Sequence, residues 1–319
     1  MKASGLDHPR SSRVFAPSFP DRTMPADTTL PRTAVRARAF VERSTLRSLL
    51  ALARDWGAIV LIAWAAEAAH HPVAYVAAAW AIGLFQFALG EAMLHEASHY
   101  NLFPSKRWNV WLEAFYALPF FRTIPQFQAE HNLHHRRLGS PEDHLNDDYY
   151  DYGVTRPPQK WFWLWFLKPA TGWAGWFYLG TLSLRPWRSG ARIAAFWAAV
   201  GGAFWATGSL RLLVLYWLVP LVWCFASFLY WSEIQDHCNT VSGTRSNLGV
   251  LGNLLTHNNG FHYVHHLYPA IPWYRLPQAY AALCPDAGDV SHGFLDTYRQ
   301  IRGAPAEARD PRPSVATPA

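Results

Sequence analysis

Residues 56–90 read WGAIVLIAWAAEAAHHPVAYVAAAWAIGLFQFALG, and Glu67 is the only formally charged side chain among them. A helix needs about 20 apolar residues to cross a hydrocarbon layer. With Leu49–Asp55 added, the stretch supplies two such passes, divided by the polar break His70-His71-Pro72. It predicts a helical hairpin. A second hairpin is predicted from Ile193–Leu210 and Leu212–Ser232, which lack Asp, Glu, Lys and Arg and meet at Thr207-Gly208-Ser209. The expected fold class is all-α and integral to a membrane, with four transmembrane helices as two hairpins.

Composition points the same way, because 51% hydrophobic residues against 16% charged is too apolar for an ordinary soluble domain. Of the 28 basic residues, ten precede the first hairpin, eleven lie between Lys106 and Arg192, six follow Ser232, and Arg211 alone sits near a far-side turn. Basic residues collect on the cytoplasmic side, so both termini and the long middle segment are expected there. The net charge of +6 is not gathered into a Lys/Arg run, which argues against a nucleic-acid partner. Cys224, Cys238 and Cys284 form no CxxC pair and are expected as reduced thiols. Residues 1–45 read as a disordered basic leader, 46–302 as the membrane domain and 303–319 as a disordered tail. In the middle segment, Trp108–Phe121 and Trp161–Leu184 are apolar but interrupted by Glu113, Pro119, Lys168 and Pro169. They read as interfacial or re-entrant helices, part of a cytoplasmic helical cap.

Eight of the fifteen histidines fall into three clusters: His95 and His99; His131, His134 and His135; His262, His265 and His266. On a helix, positions i and i+4 lie about 40° apart, so each cluster can present imidazoles to one point, while adjacent histidines diverge by about 100°. The pairs His134-His135 and His265-His266 therefore suit two neighbouring metals better than one. All three clusters emerge on the same predicted side of the membrane, as a shared site requires. His8, His70, His71 and His292 belong to no cluster and read as surface or interfacial residues; His257, near the third cluster, and His144 are likewise left out of the site.

The same residues admit two competing readings. His95-Glu96-Ala97-Ser98-His99 fits HExxH, the zinc motif of metalloproteases, intramembrane ones included. That reading needs one further ligand and leaves both HxxHH clusters unexplained. A metal-handling membrane protein is the non-enzyme alternative. Glu-rich di-iron bundles use two ExxH motifs, and only Glu96–His99 fits that pattern here. Imidazole-only ligation is the economical reading and suits iron, zinc, copper or nickel alike.

The boxes HEASH at 95–99, EHNLHHRRLGSPED at 130–143 and HYVHHLYPAIPWYRLP at 262–277 resemble those of the membrane fatty-acid desaturase superfamily. The similarity spans roughly residues 50–285, and the LYPAIPWYRLP run is more specific than the boxes alone. The resemblance implies a ninth ligand, His237 in Glu233-Ile-Gln-Asp-His237, and two non-haem iron ions sharing nine imidazoles. It implies that the irons use O2 to remove hydrogen from an unactivated C–H bond, leaving an alkene, or an alcohol where oxygen is returned. The substrate class it implies is a fatty-acyl lipid, with hydroxylation or ketolation of a lipid or carotenoid as the alternative. The SPED and PWYRLP runs look more like bacterial acyl-lipid desaturases. Each turnover takes two electrons, and the chain has no GxGxxG, rubredoxin CxxC pairs or His-Pro-Gly-Gly. An external donor is expected: ferredoxin, rubredoxin or cytochrome b5.

Glu96, Glu130, Asp143, Glu233 and Asp236 are candidates to orient the histidines through their second ring nitrogen. Glu233, one turn before His237, is the best placed of them. Arg136, Arg137 and Arg245 are candidates for an anionic head group.

Overall fold

The computed structural model describes residues 37–303 and is mostly helical. The expected leader and tail lie largely outside the described residues. Where the chain enters them, Ala37, Phe40 and Val41 pack against Val264, Ile271 and Leu276.

Among the described residues, three helices are long and apolar enough to cross a membrane: α1, Thr45–Ala69; α2, Pro72–Ser98; and, later, Leu210–His237. The α1–α2 hairpin turns where the sequence predicts it. His70 takes the left-handed conformation that ends α1, its N–H reaching the Glu67 carbonyl, and His71 caps α2 by accepting the Val73 N–H at 3.2 Å on Nδ1. Pro72 sits in the first turn of α2, where its missing N–H costs nothing.

The connecting segment carries α3 (Lys106–Trp111), α4 (Ile124–Arg137), α5 (Leu145–Tyr152) and α6 (Trp173–Thr181), with short 3₁₀ or π turns around Leu112–Phe115, Leu118–Phe120 and Trp163–Leu167. The two stretches expected as interfacial helices are broken in this way. A capping box between Thr123 and Gln126 starts α4.

Next come α7 (Trp187–Ala206) and α8 (Leu210–His237), joined at Thr207–Ser209 with Gly208 at φ 68°. Four crossings were expected. α7 forms as the helix expected there, but with Arg188 and Arg192 in its first turns it is not one of the three that qualify by length and composition. After α8 lie α9 (Val250–Leu255), α10 (His262–Leu267), α11 (Leu276–Leu283) and α12 (Phe294–Ile301), and a two-residue parallel bridge, Ser246–Asn247 with Val290–Ser291.

Small side chains let the helices approach closely. A Cβ on Gly83 of α2 would lie 2.3 Å from the Cys224 Cβ of α8, and one on Gly175 of α6 would lie 1.6 Å from the Val222 carbonyl oxygen. Trp56 of α1 stacks on Trp217 of α8 at 4.9 Å, and at the far turns Glu67 pairs with Arg211 and accepts from the Tyr216 hydroxyl at 2.7 Å. The sole charge of the quoted stretch thus meets the base of the second hairpin's turn.

Candidate metal centre

The first box lies on α2 just beyond a π turn, Ala88–Met93. Such a turn holds one extra residue, rotating the remainder of α2 by about 100° relative to an uninterrupted helix, and that rotation aims His95 and His99. The second box ends α4, His237 ends α8, and the third box is α10 itself.

These elements converge. His95, His99, His131, His135 and His265 bring one ring nitrogen each within 4.8 Å of one another, and His134, His237, His262 and His266 do the same. Every histidine predicted for the site is in one set or the other. Each HxxHH box divides: His131 and His135, at i and i+4, join the first set and His134 the second, whereas His262 and His266 join the second and His265 the first. The 100° divergence of adjacent histidines is what splits them.

In the first set, Nε2–Nε2 separations are 2.8 Å for His95–His265, 2.9 Å for His99–His131 and 3.2 Å for His135–His265. In the second they are 3.0 Å for His237–His262 and 2.9 Å for His262–His266. Nitrogens held at about 2.1 Å from one ion lie about 3.0 Å apart at right angles and about 3.4 Å apart at the tetrahedral angle. The closest pairs are thus spaced as nitrogens sharing one ion would be.

Protonation fits as well. Burial, reinforced in His135 by neighbouring imidazoles, pushes His99 down to about 4 and His135 to about 3, and burial holds His131, His262, His265 and His266 well below the usual histidine range. All are neutral near pH 7, the form that binds metal.

Two second nitrogens are fixed. His134 Nδ1 lies 3.1 Å from buried Asp143 Oδ1, and His237 Nδ1 donates to the Gly243 carbonyl at 2.9 Å, leaving each Nε2 free for the set. Asp143 is itself held by the Gly139 N–H at 2.9 Å. It is the one of the five carboxylates that hydrogen-bonds a set histidine among the described residues. Glu96 instead accepts the Trp273 N–H at 3.0 Å, Glu130 pairs with Arg122, and Asp236 is bound by Ser232 and Gln235. Glu233 faces a cavity rather than a ring. Arg245 is buried, donating to the carbonyls of Gln235, Cys238 and Asn239, and is not free for a head group; Arg136 and Arg137 are exposed. His144 lies beside Asp143 at 3.6 Å.

Sequence reasoning missed His257. Its Nε2 lies 2.6 Å from Oδ2 of fully buried Asp55, which Arg54 also binds. His257 and Asn258 are both left-handed, at φ 54° and 58°, and Asn258 donates to the Trp273 carbonyl at 3.1 Å. This brace ties α1 to the loop entering α10, and through Trp273 to Glu96 beside His95.

A cavity of about 300 Å³ adjoins the histidines. His95, His131, His134, His237 and His262 line it, with Phe127, Phe177, Phe225 and Leu229 as apolar wall and Arg122 together with the carboxyl groups of Glu91, Glu130, Asp148, Glu233 and Asp236 as further ionisable groups.

The sequence profile described as fatty acid desaturase matches residues 70–297. The chain is 26% identical to dihydrorhizobitoxine desaturase of Bradyrhizobium elkanii, covering 67% of this chain and 69% of that protein. It is 28% identical to a β-carotene ketolase of Paracoccus sp. strain PC1, covering 67% and 83%. It is 26% identical to a β-carotene ketolase of Paracoccus sp. strain N81106, covering 67% and 82%. The profile takes in every histidine of both sets and most of the chain, and the chain belongs to the fatty acid desaturase family.

Proposed function

We propose that this protein is an integral-membrane di-iron oxidase that uses O2 and electrons from an external donor to introduce a double bond into a fatty-acyl chain. The observation that carries the reading is the pair of imidazole sets, five and four, beside one cavity with a partly apolar wall. Two iron ions held there by His95, His99, His131, His135 and His265, and by His134, His237, His262 and His266, would supply the redox chemistry that couples O2 reduction to C–H oxidation.

The chain's own groups do the rest. Asp143 and the Gly243 carbonyl fix the His134 and His237 rings so that each presents Nε2 to the site. Phe127, Phe177, Phe225 and Leu229 exclude water and seat methylene groups against the histidines. We take α7 as the fourth crossing, both termini and the histidines as cytoplasmic, and the donor as docking on that face.

A second reading, oxygen insertion to form a ketone, is favoured by the similarity to two β-carotene ketolases. Product analysis separates the two. Cells expressing the chain should gain an unsaturated acyl product that needs O2 and is absent with His134→Ala. A keto-carotenoid formed when carotenoid is supplied, with acyl lipids unchanged, would replace the first reading by the second.

A further inference from the structure

The short helix α9, Val250–Leu255, has inverted polarity. Its buried side chain is Asn253, whose amide donates to the Asn247 and Gly249 carbonyls at 2.8 and 3.0 Å and whose Oδ1 accepts the Gly260 N–H at 3.1 Å. Its apolar side chains point outward: Val250 is 83%, Leu251 68% and Leu254 65% exposed. In water such a turn hides its polar group and bares its apolar ones, the reverse of what the hydrophobic effect favours.

The position of α9 along α1 says what covers it. Arg54 of α1 donates to the Leu254 and Leu255 carbonyls at 2.7 and 2.9 Å, so α9 ends at the level of Arg54. Exposed apolar side chains of α1 flank that level on both sides, Leu46, Leu49 and Leu50 before it and Val60, Leu61 and Trp64 after it. At 1.5 Å per residue, Arg54 lies about 6 Å from Leu50 and about 9 Å from Val60 along the axis. The α9 face continues, at one depth, a stripe that meets lipid if α1 crosses the bilayer.

We infer that α9 is seated in the bilayer interface, with Val250, Leu251 and Leu254 in contact with lipid and Arg54 joining it to α1. The inference rests on the membrane reading of α1. The partner is the lipid surface itself, since the face continues the exposed apolar stripe of α1 at one depth. Its consequence reaches the site. The loop between α9 and α10 is pinned by the Asn253–Gly260 and Asp55–His257 bonds, so the lipid surface helps to fix the approach to His262.

Fluorescence quenching tests this on the full chain in phosphatidylcholine vesicles. Cys224, Cys238 and Cys284 are buried, so a single introduced surface thiol takes the label. An NBD probe on Leu251→Cys should lose fluorescence to spin-labelled lipid nearly as much as one on Leu61→Cys, and resist iodide. A probe on exposed Glu142→Cys should show the opposite. Val250→Cys repeats the test on the same face should the Leu251 variant fail to fold. Iodide quenching at Leu251 equal to that at Glu142, with spin-labelled lipid silent, overturns the inference. Protection from both quenchers also overturns it, in favour of a second copy or another protein on this face. A Leu61 probe untouched by lipid removes the membrane reading of α1, and the seat of α9 with it.

Discussion

Both ends of the α1–α2 hairpin carry histidines, and they are used in opposite ways. At the turn, His70 and His71 are exposed, and each serves only its own backbone, closing α1 and opening α2. At the other end of α2, His95 and His99 meet imidazoles from α4 and α10 and are drawn, buried and half-buried, into a shared set. The residue type is the same. Helical spacing, and partners arriving from other elements, make one pair solvent-facing caps and the other candidate ligands. Charge is handled with the same contrast: Glu67 pairs with Arg211 at a half-wet turn, whereas Asp143 is buried against the His134 ring.

The largest effect that could break this contrast comes from the sets themselves. His95→Ala, His134→Ala, His265→Ala and His237→Ala should each lower turnover by more than about 100-fold and reduce bound metal, with the protein still folded in the membrane. His70→Ala and His292→Ala should keep both. Metal analysis and donor-driven O2 uptake on the same preparations check it. Near-normal metal and turnover in His237→Ala would remove that residue from the second set and leave the other eight in place.

Next in size is Asp143→Asn, which keeps the volume but weakens the bond to His134 Nδ1. Metal affinity should fall by about 10–100-fold, read by competition with a chelator, while Glu130→Gln, whose carboxylate pairs with Arg122, should leave it unchanged.

How much of this could be read beforehand differs between local and non-local features. The α1–α2 and α7–α8 turns, the eight box histidines and their division between two centres rest on patterns within a few residues, and those were legible. Which imidazole joins which set depends on how α2, α4, α8 and α10 pack, which spacing alone does not state. Glu233 shows the limit of local reasoning. One turn before His237 places it on the same helix face, where it lines the cavity instead of backing the ring. His257 was passed over because its partner, Asp55, is on α1, 202 residues earlier in the sequence. The π turn before His95 carries no residue signature, and the polarity of α9 shows only when its neighbours are in place.

The Asp55–His257 brace predicts a mid-sized loss. His257→Ala leaves Asp55 buried with Arg54 as its remaining ion partner, so stability should drop by about 1–3 kcal/mol, measured by thermal unfolding in detergent. An unchanged midpoint would show that the loop before α10 is held by other contacts.

Titration of the metal-free protein gives a further test. His99 and His135 have folded values of about 4 and about 3, below the ordinary histidine value near 6.5, so between those limits the unfolded chain binds protons that the folded one does not. Their contribution to stability should be level above about pH 7 and be lost as pH falls from about 6.5 toward 4, whereas Asp148, raised to about 7 by burial, contributes with the opposite sign. The drop in midpoint on acidification attributable to His135 should therefore vanish in His135→Ala, whose midpoint falls less than that of the unaltered metal-free protein; an equal fall would contradict a buried, neutral His135. The smallest effect belongs to the far turn: Arg211→Gln breaks a largely exposed pair with Glu67 and should leave the unfolding midpoint and turnover nearly unchanged.

The most direct test of the account is the metal content of the purified full-length protein, measured by elemental analysis after growth with iron and zinc both present. Two sets of imidazoles, five and four, predict about two iron ions per chain, with His70→Ala matching the unaltered protein and His134→Ala and His265→Ala each falling short. One tightly held zinc per chain and no iron would contradict it.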